Sequence, residues 1–201
     1  MVNHPALQLN QLEKVTAVLG MRQIGMAADG ARGRARRVQQ DNIIACAAML
    51  ARTQLQAQLE AEDALEHSGA SYDIILLDAP CSATGTIRRH PDLPHAKDGS
   101  DFFELIELQS RMIDHAVSLL NPGGRLVFCT CSLLPDEGEC QIEEALQRHR
   151  GLKIDPSVFE AEFIDSQMMA APEGLRLRPD MLSDQGGLDG FFISILRWNE
   201  E

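Results

Sequence analysis

The chain has no apolar run long enough to cross a bilayer. Its longest, about Ile43 to Leu50, is far short of the ~20 residues a spanning helix needs. Between Met1 and Lys14 there is no basic start followed by an apolar block, so no secretory signal is expected. Five cysteines, an odd number, do not suit a disulfide framework, and a reducing cytoplasm is the expected compartment. Positive charge is also short: 18 Lys+Arg face 30 Asp+Glu, a net charge of -12. Such a chain is a poor non-specific polyanion binder, and any nucleic-acid contact must be local. Gly30 and Gly33 do not follow a strand as Gly-x-Gly-x-x-Gly, which removes the dinucleotide fingerprint. No cysteine pair has the usual zinc-ligand spacing and no histidine pair completes a tetrahedral set, so no metal is expected. Internal repeats and low-complexity tracts are absent too.

What remains is 201 residues, 44% hydrophobic and 24% charged, enough for one globular domain with a core of its own. Residues 21 to 55 carry six arginines (Arg22, Arg32, Arg34, Arg36, Arg37, Arg52) against Asp29 and Asp41, whereas residues 132 to 201 hold six basic and fifteen acidic side chains. Solvated helix faces account for charge runs of this kind.

Tyr72-Asp-Ile-Ile-Leu-Leu-Asp78 is a continuous apolar run closed by Ala79-Pro80, the pattern of a strand buried on both faces of a parallel sheet. Phe102, Leu105, Ile106, Met112, Ile113, Ala116, Val117 and Leu120 repeat at helical spacing, and Asn121-Pro-Gly-Gly124 ends that helix. Arg125 to Cys131 reads as a second buried strand, which gives a right-handed parallel crossover and an α/β fold class. Asp136 to Arg150 reads as a helix entered at Pro135, and Phe191 to Trp198 as a terminal strand inserted antiparallel at the sheet edge. Before Ser71 the pattern is weaker: Lys14 to Val18 and Gln56 to Glu62 are strand candidates, and Arg34 to Thr53 is a helix candidate.

Ligands of open α/β sheets bind beyond the carboxyl ends of the strands. One strand here ends in Asp78-Ala-Pro-Cys81, the other in Cys129-Thr-Cys131-Ser132. Neighbouring parallel strands would bring Asp78, Cys81 and Cys131 together, and two thiols with a carboxylate suggest nucleophilic thiol chemistry. Backbone N–H groups and a following helix N-terminus would lower the pKa of the Cys81 and Cys131 thiols. Cys46, Cys129 and Cys140 read as small buried hydrophobes.

Two long segments carry a resemblance. Tyr72-Asp-Ile-Ile-Leu-Leu-Asp-Ala-Pro-Cys-Ser-Ala-Thr-Gly-Thr-Ile-Arg-Arg-His-Pro-Asp92, followed by Leu119-Leu-Asn-Pro-Gly-Gly-Arg-Leu-Val-Phe-Cys-Thr-Cys-Ser-Leu-Leu-Pro-Asp-Glu-Gly-Glu139, is similar to the RNA cytosine-5 methyltransferases, and among them to the bacterial small-subunit ribosomal RNA branch. Leu188-Asp-Gly-Phe-Phe192 resembles that family's last strand. The resemblance implies a Rossmann-like class I S-adenosylmethionine-dependent methyltransferase fold, S-adenosyl-L-methionine as cofactor and RNA, ribosomal by analogy, as partner. It implies Cys131 as the nucleophile that adds to C6 of cytosine, Cys81 as the thiol that assists breakdown of the adduct, and Asp78 as a group on the cytosine edge near the cofactor. Asp63 and Pro80 would join Asp78 in holding the cofactor, and Arg88, Arg89 and His90 would approach the RNA backbone.

The sequence also departs from the family. The glycine-rich loop of the type Asp-x-Cys-Ala-Ala-Pro-Gly-Gly-Lys, which follows the family's first strand and cradles the methionine part of the cofactor, has no counterpart in residues 1 to 55. Lys14 to Val18 resembles the second strand, but Leu19-Gly20 stands where an acid for the ribose is expected. The expected division is therefore an atypical segment 1–55, truncated or rearranged, and a catalytic core 56–201, with an incomplete sheet or a substitute strand drawn from Met1 to Gly33. The alternative function is a catalytically silent remnant, or an RNA- or partner-binding module without a working cofactor pocket.

Overall fold

The computed structural model describes residues 15–19, 58–60, 65, 71–96, 99–156 and 169–199. A mixed sheet organises them. Its strands are β1 (Val15–Leu19), β2 (Gln58–Glu60), β3 (Tyr72–Asp78), β4 (Leu120–Thr130), β5 (Leu152–Ile154), β6 (Met169–Ala170), β7 (Gly174–Leu177) and β8 (Phe191–Trp198). The order is β2-β1-β3-β4-β8-β7-β6, with β5 also paired to β8. The pairs β1–β2, β1–β3 and β3–β4 are parallel, and those involving β8 are antiparallel.

Burial explains the long apolar runs. Ile75, Leu77, Leu126 and Phe128 pack with the helices on one face, and Leu76, Val127 and Cys129 meet Leu175, Met181 and Ile193 on the other. A strand covered on both sides has no polar face to alternate with. Each buried Leu or Ile contributes about 1.5–3 kcal/mol relative to an exposed one. Phe128 and Phe192 meet edge to face, with centroids 6.4 Å apart, where β4 and β8 join.

Among the described residues, two helices cover the first face: α2 (Phe102–Ser118), preceded by the short α1 (Leu93–Ala96), and α3 (Glu139–Arg148). The buried stripe of α2 is Leu105, Gln109, Met112, Ile113, Ala116 and Val117, at the spacing of one helix face. Gln141 of α3 donates to the Ile106 carbonyl at 3.0 Å and joins the two helices.

Several expectations change. Phe191–Trp198 is antiparallel, as its sequence suggests, but it is not at the edge: β4 flanks it on one side and β7 and β5 on the other, and Phe191 to Leu196 are all buried. β4 begins at Leu120 rather than Arg125, because a register shift between Tyr72 and Ile74 accommodates the Asn-Pro-Gly-Gly segment, with Gly123 at φ +80°. The helix expected from Asp136 is split. Pro135–Glu137 forms a 3-10 turn and α3 starts after Gly138, where a Cβ would collide with Arg176 and the Phe192 ring. The short strands β5, β6 and β7 are additional.

β1 runs directly beside β3, from Val15 opposite Ile74 to Leu19 opposite Asp78. The segment that resembles the family's second strand therefore closes onto β3 with no strand between them, and both edges of β1 are paired. The helix candidate Arg34 to Thr53 and Cys46 lie outside the described residues. Among the described residues, no helix is long and apolar enough to cross a membrane.

Candidate active site

β3 and β4 are parallel neighbours, with Asp78 opposite Cys129, so the turns that follow them leave the sheet side by side. Cys81 and Cys131 end with sulfurs 3.5 Å apart, within sulfur hydrogen-bonding distance. Asp78, 6% exposed at the end of β3, lies 3.8 Å from the Cys129 sulfur, which also contacts the Leu77 carbonyl. Cys81 and Cys131 thus meet beyond the strand end that Asp78 closes. Cys129 itself belongs to the core of the opposite face.

The expectation of a lowered pKa at Cys81 is overturned. Its hydrogen bond to Cys131 is the largest cause of an upward shift, followed by burial and by the charges of Cys131 and Glu137; the hydrogen bond with the Ala83 backbone opposes them and loses. Cys81 is therefore held as a thiol. Cys140, on α3, is also pushed up, by burial first and then by its acidic neighbours Asp136, Glu143, Glu139 and Glu144.

The Cys81 turn is tightly constrained. Ala83 sits at φ +60°, an uncommon conformation for a residue with a Cβ. The Gly85 N–H donates to the Cys131 carbonyl at 2.9 Å, and the Gly190 N–H donates to the Gly85 carbonyl at 2.8 Å. A Cβ on Gly85 would strike the Gly190 backbone, so only glycine permits this approach between the Cys81 turn and the segment entering β8.

Two charged residues that the sequence reading did not single out hold the turns. Glu137 is fully buried and accepts from the Ser82 N–H at 2.8 Å, from the Ser82 hydroxyl and from Gln109 Nε2 at 3.1 Å. Gln109 also donates to the Pro80 carbonyl at 2.9 Å. Arg176, from β7, donates to the Ser132 carbonyl, pairs with Glu139 and stacks over the Phe192 ring at 4.9 Å. Ser132 and Thr84 bridge the turns, with oxygens 3.2 Å apart. The available signal was a polar residue on an apolar stripe: Gln109 occupies a core position of α2.

Of the residues expected to contact RNA, Arg88 pairs with Asp189 at 3.3 Å and Arg89 pairs with the same carboxylate, while His90 is exposed. Pro80 is partly buried, its carbonyl taken by Gln109. Asp63 lies outside the described residues. A mostly apolar cavity of about 330 Å³ opens beside the Cys81 turn, lined in part by Ser82, Thr84, Ile87, Phe102 and Leu134; neither cysteine lines it. Among the described residues, no group of three or more His, Cys, Asp or Glu side chains could hold a metal ion.

The profile of the family described as "16S rRNA methyltransferase RsmB/F" matches residues 13–197. The chain belongs to this family. Ribosomal RNA small subunit methyltransferase B of Shewanella oneidensis is 41% identical over 128 residues, 64% of this chain and 27% of that protein. The protein of the same name from Pasteurella multocida is 38% identical over 157 residues, 74% of this chain and 33% of that protein. The chain thus spans about a third or less of the length of these curated relatives. Two solved structures share the fold at 23% identity: NSun6 from Pyrococcus horikoshii with SFG, with a TM-score of 0.58 over 94% of this chain and 48% of that one, and a methyltransferase homolog from Pyrococcus horikoshii, with a TM-score of 0.57 over 92% and 61%. The Rossmann-like class I methyltransferase fold of this RsmB/F family member is shared with both.

Proposed function

We propose that this RsmB/F family member is the catalytic core of an S-adenosyl-L-methionine-dependent methyltransferase acting at C5 of cytosine in ribosomal RNA, through a covalent adduct between cysteine and C6. The observation that carries the reading is the pair of sulfurs 3.5 Å apart at the ends of adjacent parallel strands, beside a buried carboxylate. The working division is residues 1–55 as an atypical N-terminal segment and 56–201 as the core, in a cytoplasmic protein.

C5 of cytosine is a weak nucleophile. The Cys131 thiolate adds to C6, the C5–C6 π electrons move onto C5 and through C4 toward N3, and C5 gains the density it needs. Asp78 hydrogen-bonds the cytosine edge, its carboxylate accepting from the exocyclic amino group, and so orients the ring for attack. The Cys81 thiol stays protonated, so it is unsuited to be the attacking group and suited to give its proton to the departing Cys131 sulfur: once C5 carries its methyl group, the C5 proton leaves to a base, its electrons restore the C5–C6 double bond, and the C6–S bond breaks with its electron pair going to that sulfur. To reach both sulfurs the base must leave its stack. Arg88, Arg89 and His90 contact the RNA backbone, with phosphate competing against Asp189 for the two arginines.

The donor set fits one end of the cofactor. A buried carboxylate beyond a central strand complements the positive charge of a sulfonium, and Asp78 with Pro80 would hold that end, with Asp63 toward the adenine. When bound, the cofactor supplies an electrophilic methyl group. The direct pairing of β1 with β3, with no strand between them, favours the second reading, a silent remnant or binding module. Calorimetric titration with S-adenosylhomocysteine separates the two: micromolar binding supports the enzyme, and no binding supports the remnant.

The decisive test uses separate cysteine substitutions on small-subunit ribosomal RNA. Cys131→Ala is expected to abolish methylation and adduct formation, whereas Cys81→Ala is expected to accumulate a covalent protein–RNA adduct visible on a denaturing gel. The opposite pattern would make Cys81 the nucleophile and sink the assignment.

A further inference from the structure

Glu137 is the most enclosed charged side chain near the cysteines, and its hydrogen bonds go to the residues beside them. Its backbone carbonyl accepts from Thr130 Oγ1 at 2.9 Å, which ties it to the last residue of β4 before Cys131. Its carboxylate accepts the N–H and hydroxyl of Ser82, the residue after Cys81. The third donor, Gln109 Nε2, also holds the Pro80 carbonyl, on the residue before Cys81. Cys81 is therefore gripped on both sides by groups that converge on one carboxylate, itself anchored to the neighbouring strand.

An ionised carboxylate is acceptor-only, and the three donors around Glu137 match that need. Aspartate in the same place would keep the charge but fall one methylene short of Ser82. Glutamine would turn one acceptor oxygen into an NH₂ group facing donors.

We propose that Glu137 is a positioning residue for the thiol pair, locking the Pro80–Ser82 turn onto the Cys131 strand and so setting the distance between the two sulfurs. Its bearing on catalysis rests on the methyltransferase reading; its effect on the sulfurs does not. The charge of Glu137 also acts on Cys81 in the direction that keeps its proton in place.

The test follows the sulfurs directly, on the full chain, without RNA or cofactor. Diamide takes two electrons and two protons from a thiol pair: both S–H bonds break, an S–S bond forms, and the N=N bond of diamide becomes the N–N bond of a hydrazine. The rate at which the Cys81–Cys131 bridge forms, assigned by peptide mapping, reports how well the turn is held. The native chain is expected to close the bridge readily. Glu137→Asp should slow closure about tenfold and Ser82→Ala, which removes one donor and leaves the core intact, about threefold, as sub-ångström misplacement of reacting atoms predicts. Leu152→Ala, a core substitution on β5, should lower the melting temperature without slowing closure. The proposal is overturned if the native chain does not close the bridge, if both turn variants close at the native rate, or if Leu152→Ala slows closure as much as they do. Should Glu137→Asp fail to fold, Ser82→Ala decides alone. A failure here leaves the methylation tests standing, and a failure there leaves this one standing.

Discussion

The turn after β3 is fastened by a buried carboxylate, Glu137, whereas the turn after β4 is fastened by a buried guanidinium, Arg176. The difference follows from the groups each turn presents to its fastening residue. The Cys81 turn offers donors, the Ser82 N–H and hydroxyl, and only an acceptor can satisfy them. The Cys131 turn offers carbonyls, Ser132 and Leu134, and only a donor can. The sign of the buried charge is thus set by the backbone groups it serves, and the two fastenings are not interchangeable.

The largest expected break in this comparison is Arg176→Leu. It keeps apolar bulk against Phe192 but strips the donors from two carbonyls and leaves Glu139 without its partner. A loss of about 3 kcal/mol is expected in urea unfolding, since removing one member of a mostly buried pair strands the other. A loss below about 1 kcal/mol, the scale of a surface pair, would mean that the Cys131 turn holds itself.

An intermediate effect separates the two turns by pH. The folded-state pKa of Cys81 lies well above its ordinary value of 9.0, so the folded chain holds this proton more tightly than the unfolded chain. That stabilisation is complete below pH 9.0 and is lost as pH rises through the folded-state value. From pH 9.0 up to the folded-state value, urea unfolding should therefore show native stability falling more steeply than that of Cys81→Ser. Parallel curves would remove the raised thiol from the account.

The smallest effect sharpens the comparison at one backbone position. Ala83 adopts the left-handed conformation without glycine's freedom, so Ala83→Gly should raise stability by about 0.5 kcal/mol, the relief of a Cβ clash less the entropy glycine adds to the unfolded chain. A fall in melting temperature would show that the Ala83 methyl contributes packing that outweighs the strain.

Much of this was legible in advance because it rests on local pattern. The runs 72–78 and 125–131 announce doubly covered strands, and their endings place Asp78, Cys81 and Cys131 at one edge. Strand order was less accessible. An eight-residue apolar strand looks the same at an edge as inside a sheet, and only the short partners β5 and β7, which carry weak patterns of their own, move β8 to the interior. The state of Cys81 was misread for a related reason: backbone donors are visible in a turn motif, but the sulfur 3.5 Å away and the Glu137 charge belong to residues about fifty positions further on. Gln109 was legible as an oddity, a polar residue on an apolar stripe, but its role needed the geometry.

The interior place of β8 has a consequence for the order of events during synthesis. Thr130 pairs with Phe192, and the Gly85 carbonyl accepts from Gly190, so residues on both cysteine turns find partners in a segment translated long after them. Until that segment leaves the ribosome, the free edge of β4 is an open template for wrong pairing. The thiol pair is therefore expected to assemble late, after α2 and α3, and a nascent chain stalled before Gly190 should be the species most in need of a chaperone.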